Sequence, residues 1–338
     1  MIKHRSIPVD QKYTALDWVD SRLIDWGGNS LLYDPENLGR FYNKYSFGSR
    51  FDGVRSINHG EYAVLYERVG TKGLVLKKGM LIREINRSYY CSEAYEYPVA
   101  LTKLDSGETA LVHCPEHYGR IEIEEVETGT RLTTADQRRE VDSFFSRFEV
   151  SPNGQFLVSA GWVWHPFSIH TVFDLQEALK DPAHLDRWGI SMAEVESEVA
   201  CARFLDEETL LIAATDEPPF DDESTPAIPP NHFGMVDFKS GEVKSLFKME
   251  EPMGNLVPIN GDWAWDFYDH PQLVDLNTGQ TVKRNRDISS GQQNSSIIWS
   301  APLPSIALSE DRHRVAIADD TVVHVMEFTE NTSSLLNY

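Results

Sequence analysis

Apolar and polar residues alternate over short runs through much of the chain, and turn residues separate these runs. The clearest stretch lies between Phe145 and Leu175, where three apolar or alternating runs are separated by Ser151–Gly154 and by His165–Pro166. Short runs with a period of two, bounded by Gly, Pro, Asn and Ser, predict β-strands rather than helices. This stretch therefore predicts three consecutive strands joined by turns.

The third strand of this unit ends in a pattern that recurs along the chain. An apolar residue, an acid and another apolar residue close the strand, as in Phe173-Asp174-Leu175, and a Gly turn often follows. With looser copies included, the marks fall at residues 33, 76, 126, 173, 236, 274 and 326. This spacing matches the ~40–50 residues of a four-stranded propeller blade. The sequence therefore predicts an all-β fold, a β-propeller of about seven four-stranded blades, with six blades as the alternative.

In this repeat the chain resembles the WD-repeat-like β-propeller superfamily over nearly its whole length. The resemblance is architectural, because the Trp-Asp dipeptide of WD repeats is absent from the third strands and no Gly-His opener recurs. It implies one propeller domain over residues 1–338, with insertions near 176–198 and 216–231. The first insertion predicts short helices at 176–180 and 192–198. The second is rich in prolines and acids, which predicts an exposed loop.

The charge of the chain bears on its partners. Acidic residues number 53 against 31 basic ones, which gives a formal net charge of −22. Such acidity favours solubility. It also favours a basic protein partner, because the negative electrostatic potential of the chain attracts it. It disfavours nucleic-acid binding, because that mode depends on clustered Lys and Arg. We expect no nucleic-acid partner, no membrane partner and a monomeric fold.

The cysteines and the first residues indicate a compartment. Only Cys91, Cys114 and Cys201 occur, without a CxxC pair, which is typical of a reducing environment. The first eighteen residues contain charged or polar positions throughout and lack the apolar core of a signal peptide. These features predict a cytoplasmic protein that needs no disulfide, metal or other cofactor.

Aromatic residues gather at the predicted loops between second and third strands. The fourth unit carries Gly161-Trp162-Val163-Trp164-His165-Pro166, and the sixth carries two tryptophans followed by Phe267, Tyr268, Asp269 and His270. One interpretation is packing between neighbouring blades; the other is a binding surface, since aromatics are enriched at interface hot spots. The resemblance places such loops on the ligand-receiving face. The predicted partner-binding residues are Trp164, His165, Trp265, Tyr268, Asp269 and His270, with Asp221, Asp222 and Glu223 of the acidic insertion as an arm that attracts cations.

Local catalytic signatures are missing. The chain has no GxSxG, phosphate-binding Gly-rich loop, HExxH, EF-hand loop or dinucleotide fingerprint, so we assign no catalytic residue. The HCPEH segment at 113–117 has a spacing seen at metal sites, but the proline within it favours a strand end and turn.

Two functional hypotheses remain. The first is a non-enzymatic scaffold that docks a protein partner on one face, for example an immunity-type inhibitor of a bacterial toxin. The second is a propeller hydrolase or lyase acting on a sugar or lactone through channel-lining acids and aromatics.

Overall fold

The computed structural model shows a β-propeller. It describes residues 1–27, 31–34, 39–41, 47, 50–136, 138–164, 167–187, 189, 197–218, 225–300 and 303–330, with the backbone alone at 31–34 and 39–41. Strand accounts for 46% and helix for 4% of the described residues. The predicted all-β fold class is therefore confirmed.

The strands form seven antiparallel sheets of three or four strands, within the predicted range of six to seven blades. The first three sheets contain β2 (Leu16–Val19), β3 (Arg22–Asp25), β4 (Leu31–Asp34) and β5 (Gly39–Phe41); β6 (Gly53–Ile57), β7 (Tyr62–Tyr66), β8 (Lys72–Lys77) and β9 (Met80–Asn86); and β10 (Val99–Lys103), β11 (Thr109–His113) and β12 (Glu122–Glu125).

The fourth, fifth and sixth sheets follow in chain order. They contain β13 (Glu149–Val150), β14 (Phe156–Val163) and β15 (Phe167–Asp174); β16 (Val199–Phe204), β17 (Thr209–Ala214), β18 (His232–Asp237) and β19 (Val243–Lys248); and β20 (Leu256–Pro258), β21 (Trp263–Asp266), β22 (Gln272–Asp275) and β23 (Thr281–Arg284). A ribbon of β24 (Gln292–Gln293) and β25 (Trp299–Ser300) follows the sixth sheet.

The seventh sheet joins the two ends of the described chain. Its strands are β26 (Ser305–Leu308), β27 (Arg314–Ala318) and β28 (Val322–Phe328), and β1 (Ile2–Pro8) pairs with β28 as its outermost strand. The pairing runs from Ile2 opposite Phe328 to Pro8 opposite Val322. The first and last described strands therefore share one blade.

Apolar clusters hold neighbouring sheets together in a ring. From the seventh sheet through the first to the sixth, the first strands of successive sheets contact one another around the axis. Each pair of neighbours shares a cluster of buried side chains, and the cluster between the seventh and first sheets includes Ile7, Val323, Leu16 and Leu23. Burial of apolar area on both faces of every sheet is thus the main stabilising contribution to the ring.

The acid that recurs at the end of most third strands shapes a turn. Asp237 accepts hydrogen bonds at Oδ1 from the backbone N–H groups of Lys239 (3.1 Å) and Ser240 (2.9 Å). Gly241 then adopts a φ of 76°, which an L side chain rarely tolerates. The acid satisfies donors that the strand leaves unpaired, which is why the sequence mark locates third strands.

The insertions agree with the sequence in part. Helix α1 spans Leu175–Lys180, close to the predicted 176–180, and Asp174 caps it by accepting from Gln176 and Glu177. A 3₁₀ helix at Pro182–Asp186 follows. Most of the predicted 192–198 helix and residues 219–224 of the acidic insertion lie outside the described residues. Within the described ranges, no helix is long and apolar enough to cross a bilayer.

Ring closure generates a stability prediction. Ile7 is 3% exposed in β1 and packs against the first sheet, so Ile7→Ala should lower the free energy of unfolding by ~2–4 kcal/mol. Lys3→Ala, at an exposed position of the same strand, is the control and should change it by less than ~0.5 kcal/mol. Urea unfolding measures both, and equal effects of the two substitutions would contradict the role of β1 in closure.

Candidate functional site

The loops between second and third strands share one face of the ring with the connections from one sheet to the next. Each four-stranded sheet is an antiparallel meander that starts at the axis, so its second-to-third loop and its exit lie at the same end. We call this end the loop face. It carries two features: an aromatic cluster at its surface and a charged channel below its centre.

Five rings from four separate segments stack on the loop face, and we call them the aromatic ladder: Tyr90, Tyr118, Phe144, Trp162 and Trp164. Tyr118 stacks on Phe144 with 4.1 Å between ring centroids, and Phe144 on Trp162 at 4.0 Å. Tyr90 stacks on Tyr118 at 5.5 Å. Trp164 meets Trp162 edge to face at 5.4 Å. The outer contacts of Tyr90 and Trp164 lie in the preferred range for aromatic pairs, and the two inner stacks are closer than that range.

Two glycines allow this close approach. A Cβ on Gly119 would lie 1.7 Å from the carbonyl oxygen of Val141, and a Cβ on Gly161 would lie 2.2 Å from that of Phe144. Phe144 and Trp162 also exchange backbone hydrogen bonds of 2.8 and 3.1 Å. The backbone thus brings the segments together before the rings stack.

The ladder is buried at its centre and open at its outer rings. Phe144 and Trp162 are 0% and 4% exposed, whereas Tyr90 is 45% and Trp164 is 44% exposed. The neighbouring Tyr89 is 84% exposed. The buried rings therefore hold the exposed ones in fixed positions, which produces a rigid apolar surface.

Of the predicted binding residues, Trp164 lies on this surface and Trp265 does not. Trp265 is fully buried between the sixth and seventh sheets, and its indole Nε1 donates to the backbone oxygen of Arg312 at 2.9 Å. The partner-binding interpretation of Trp265 is thus replaced by packing between neighbouring sheets. The period-two pattern does not separate the two tryptophans, because both follow the same Trp-x-Trp spacing.

Tyr268, Asp269 and His270 form a partly buried turn after β21. Asp269 has a φ of 62°, and its N–H bonds to the carbonyl of Gly291 at 2.7 Å. His270 Nδ1 lies 2.8 Å from the carbonyl oxygen of Ile288. These contacts anchor the turn to the segment before β24. His165, Asp221, Asp222 and Glu223 lie outside the described residues.

Acidic groups accompany the aromatic ladder. Burial raises the pKa of Tyr268, and the nearby carboxylates of Asp269 and Asp216 raise it further. Burial also raises the pKa of Glu198, with Glu217 and Asp216 adding to the effect. Ser168, at the start of β15, donates to Glu198 at 2.8 Å. The base of the acidic insertion therefore lies beside the sheet that carries Trp164, and the local field is negative.

The channel has the opposite character. A cavity of about 370 Å³ runs along the axis, and its charged lining residues are Arg55, Arg68, Arg147, Arg203, Asp52, Glu96 and Glu149. A vestibule of about 490 Å³ shares Asp52, Arg68, Glu96 and Gln293 with it. Four arginines thus converge inside a strongly acidic protein.

Two carboxylates in the channel are held by arginines. Glu96 lies 3.3 Å from Arg68 and 3.7 Å from Arg55. Burial alone would raise its pKa, but these guanidiniums outweigh burial and lower the pKa to about 2. Glu149 lies 2.6 Å from Arg203 and 3.2 Å from Arg312. Burial opposes its ionisation, and the two arginines lower its pKa.

Sequence reasoning missed both the ladder's outer tyrosines and the arginines. Tyr89-Tyr90 follows β9 as an exposed aromatic pair outside any strand pattern, and that is a usable signal. Arg203 also gives a signal in the sequence. It is a charged residue within the apolar run of β16, the first strand of its sheet, and it lines the cavity at the axis. Arg68 lies in the loop between β7 and β8 and Arg147 in the connection before β13, and no strand pattern in the sequence distinguishes either residue.

The HCPEH residues contact separate partners. His113 Nε2 lies 3.2 Å from Glu124, and His117 stacks on Tyr118. Burial raises the pKa of the Cys114 thiol well above its usual range. No group of three His, Cys, Asp or Glu within the described part of the chain is arranged to hold a metal ion.

The comparisons with known proteins leave the site to be interpreted from its own geometry: no family model matches the chain, and no curated protein is significantly similar to it in sequence.

The tryptophans generate opposite predictions. Trp265→Ala should lower the free energy of unfolding by ~3–5 kcal/mol because it empties a sealed site. Trp164→Ala should lower it by less than ~1 kcal/mol because that ring is half exposed. Urea unfolding of both variants is the measurement, and similar losses would show that Trp164 is also a packing residue.

The channel generates a pH prediction. The pKa of Glu96 is lower in the folded state than its ordinary value of 4.5, so its ion pairs stabilise the fold above pH ~4.5 and lose this effect as the pH falls toward 2. Glu96→Gln should therefore cost about 3 kcal/mol at pH 7 and clearly less at pH 3. Urea unfolding at both pH values tests this, with the exposed Glu207→Gln as control. A loss that is equal at the two pH values would rule out this charge effect.

Proposed function

We propose that the chain is a non-enzymatic scaffold that docks a basic protein partner on its loop face. The observation that carries the proposal is the aromatic ladder, whose exposed Tyr90 and Trp164 rest on buried rings. Preorganised aromatic side chains bind at low entropic cost, because little rotamer freedom is lost on contact. Tyr89, the most exposed large hydrophobic side chain among those described, adds aromatic area next to Tyr90.

The charges beside the ladder support a basic partner. Asp216, Glu217 and Glu198 lie together at the base of the acidic insertion, and the chain as a whole carries −22. A field of one sign accelerates the encounter with an oppositely charged protein and disfavours wrong partners. An immunity-type inhibitor that captures a basic bacterial toxin in the cytoplasm is one function of this form. The WD-repeat-like architecture belongs to the same proposal, since such propellers offer loop faces as docking platforms.

The alternative of a sugar or lactone hydrolase has less support in the channel. Such chemistry needs a carboxylic acid that is protonated near neutral pH. Glu96 and Glu149 instead have lowered pKa values and serve as arginine partners. Burial raises the pKa of Asp52, but its Oδ1 accepts the backbone N–H of Arg68. The stacked aromatics lie on the surface rather than beside these acids, so no sugar platform faces them.

The proposal is tested with matched baits. The chain and three variants are used for affinity purification from the native host, followed by quantitative mass spectrometry. Trp164→Ala and Tyr90→Ala should each weaken the binding of a stoichiometric protein partner by at least ~2 kcal/mol, about thirtyfold in affinity, because each removes a hot-spot ring. Val282→Ala, which truncates a 56% exposed side chain on the outer strand β23, should leave it unchanged.

The charge contribution is measured on the same complex. Asp216→Asn with Glu217→Gln should slow association and flatten its salt dependence while dissociation changes little, since rim charges act on encounter. A partner that binds both ladder variants as tightly as the parent chain would contradict the proposed surface.

A further inference from the structure

One buried cation in the channel forms no direct ion pair with any described acid. Arg147 is 7% exposed, and no carboxylate of the described residues lies within ion-pair distance of its guanidinium. Its Nη1 donates to the backbone oxygen of Ala200 at 2.6 Å, and its Nη2 to Asn255 Oδ1 at 3.3 Å. Burial lowers its pKa to about 10, the cations Arg203 and Arg68 add to this, and the more distant carboxylate of Glu96 acts in the opposite direction. Arginines are rarely buried without a counter-charge, because desolvation of the ion is costly.

A second cation converges on the same point. Arg203 Nη2 donates to the same amide oxygen, Asn255 Oδ1, at 3.1 Å, while its buried Nε has no hydrogen-bond partner within the part of the chain that is described. Two guanidiniums from neighbouring sheets therefore share one neutral acceptor. An amide oxygen satisfies hydrogen bonds but does not neutralise charge.

The charge inventory leaves this end of the channel positive. Glu96 is occupied by Arg55 and Arg68, and Glu149 by Arg203 and Arg312. Asp52 Oδ1 accepts the backbone N–H of Arg68 at 2.7 Å. Asp266, the acid next to Asn255, accepts the backbone N–H of Asn255 and the amide of Gln272. Four arginines thus pair with two channel glutamates, and Arg147, the fifth, forms no ion pair with a described carboxylate.

We propose that the channel binds the oxyanion group of a small molecule, a carboxylate or a phosphate, between Arg147 and Arg203 beside Asn255. Guanidinium groups present planar donor pairs that match such oxyanions. The cavity of about 370 Å³ lies in the range of small-ligand sites, and its vestibule provides a path for entry.

The backbone at Arg147 has a left-handed conformation. Its φ of 50° lies in a region that few non-glycine residues adopt, and Arg312 has a similar φ of 58°. The site uses residues of the channel and none of the aromatic ladder, so it is independent of the proposed docking surface.

The experiment is calorimetric titration of the full chain with inorganic phosphate and, separately, with citrate, at constant ionic strength set by chloride. We expect a dissociation constant below ~20 mM for at least one of the two anions, a range accessible to small anions. Saturation by phosphate alone assigns a phosphorylated ligand, and saturation by citrate alone a carboxylate ligand. Absence of binding by both anions overturns the proposal.

Matched variants locate the site. Asn255→Asp places a fixed carboxylate where the two arginines meet, so it should weaken the binding of the anion at least tenfold. Asn153→Asp makes the same charge change at an exposed turn between β13 and β14 and should bind as the parent chain does. Arg203→Gln, which leaves Glu149 paired with Arg312, should also weaken binding at least tenfold. Circular dichroism verifies folding, and unchanged affinity in a folded Asn255→Asp or Arg203→Gln variant overturns the assignment.

Discussion

The pairing of β1 with β28 is the contact on which the other sheets depend. Any open row of sheets leaves two unpaired edges and two uncovered apolar faces, and both promote aggregation in water. Here the first described strand completes the last sheet, and Ile7 with Val323 packs against Leu16 and Leu23 of the first sheet. Every sheet consequently has two neighbours, and the side chains that cannot be covered by a neighbour are those at the axis and at the two ends.

This constraint explains where the unusual residues lie. First strands approach the axis from all sides and cannot all fill it with apolar side chains, so polar and charged groups line a cavity there. Arg312 illustrates how the ring uses such groups, because it donates to the carbonyl oxygens of Phe204 and Pro258 and also pairs with Glu149. Its guanidinium links the fourth, fifth and sixth sheets to the seventh. Arg147 makes comparable backbone contacts but lacks the acid, and that difference separates a structural arginine from the proposed anion site.

The sequence predicts the ring better than it predicts the surface, for a physical reason. The acid at residue 237 caps a turn through contacts with residues two and three positions ahead, so its pattern is local and repeats with each sheet. Trp164 and Trp265 have the same local pattern but different surroundings. Arg312 closes over Trp265 from a distant segment, whereas Trp164 leans on rings and remains half exposed. Burial of this kind depends on which segments meet, and a strand period does not encode it.

The same distinction applies to the ladder and the channel. Tyr90, Tyr118 and Phe144 come from connections between or within sheets, and they meet only because Gly119 allows the backbone to approach Val141. The ladder places apolar area where the fold itself gains little from it, since its outer rings remain in water. The channel arginines likewise occupy a place where an apolar side chain would cost less. Both features agree with the two proposals: a protein partner would cover the outer rings of the ladder, and an anion would neutralise the arginines.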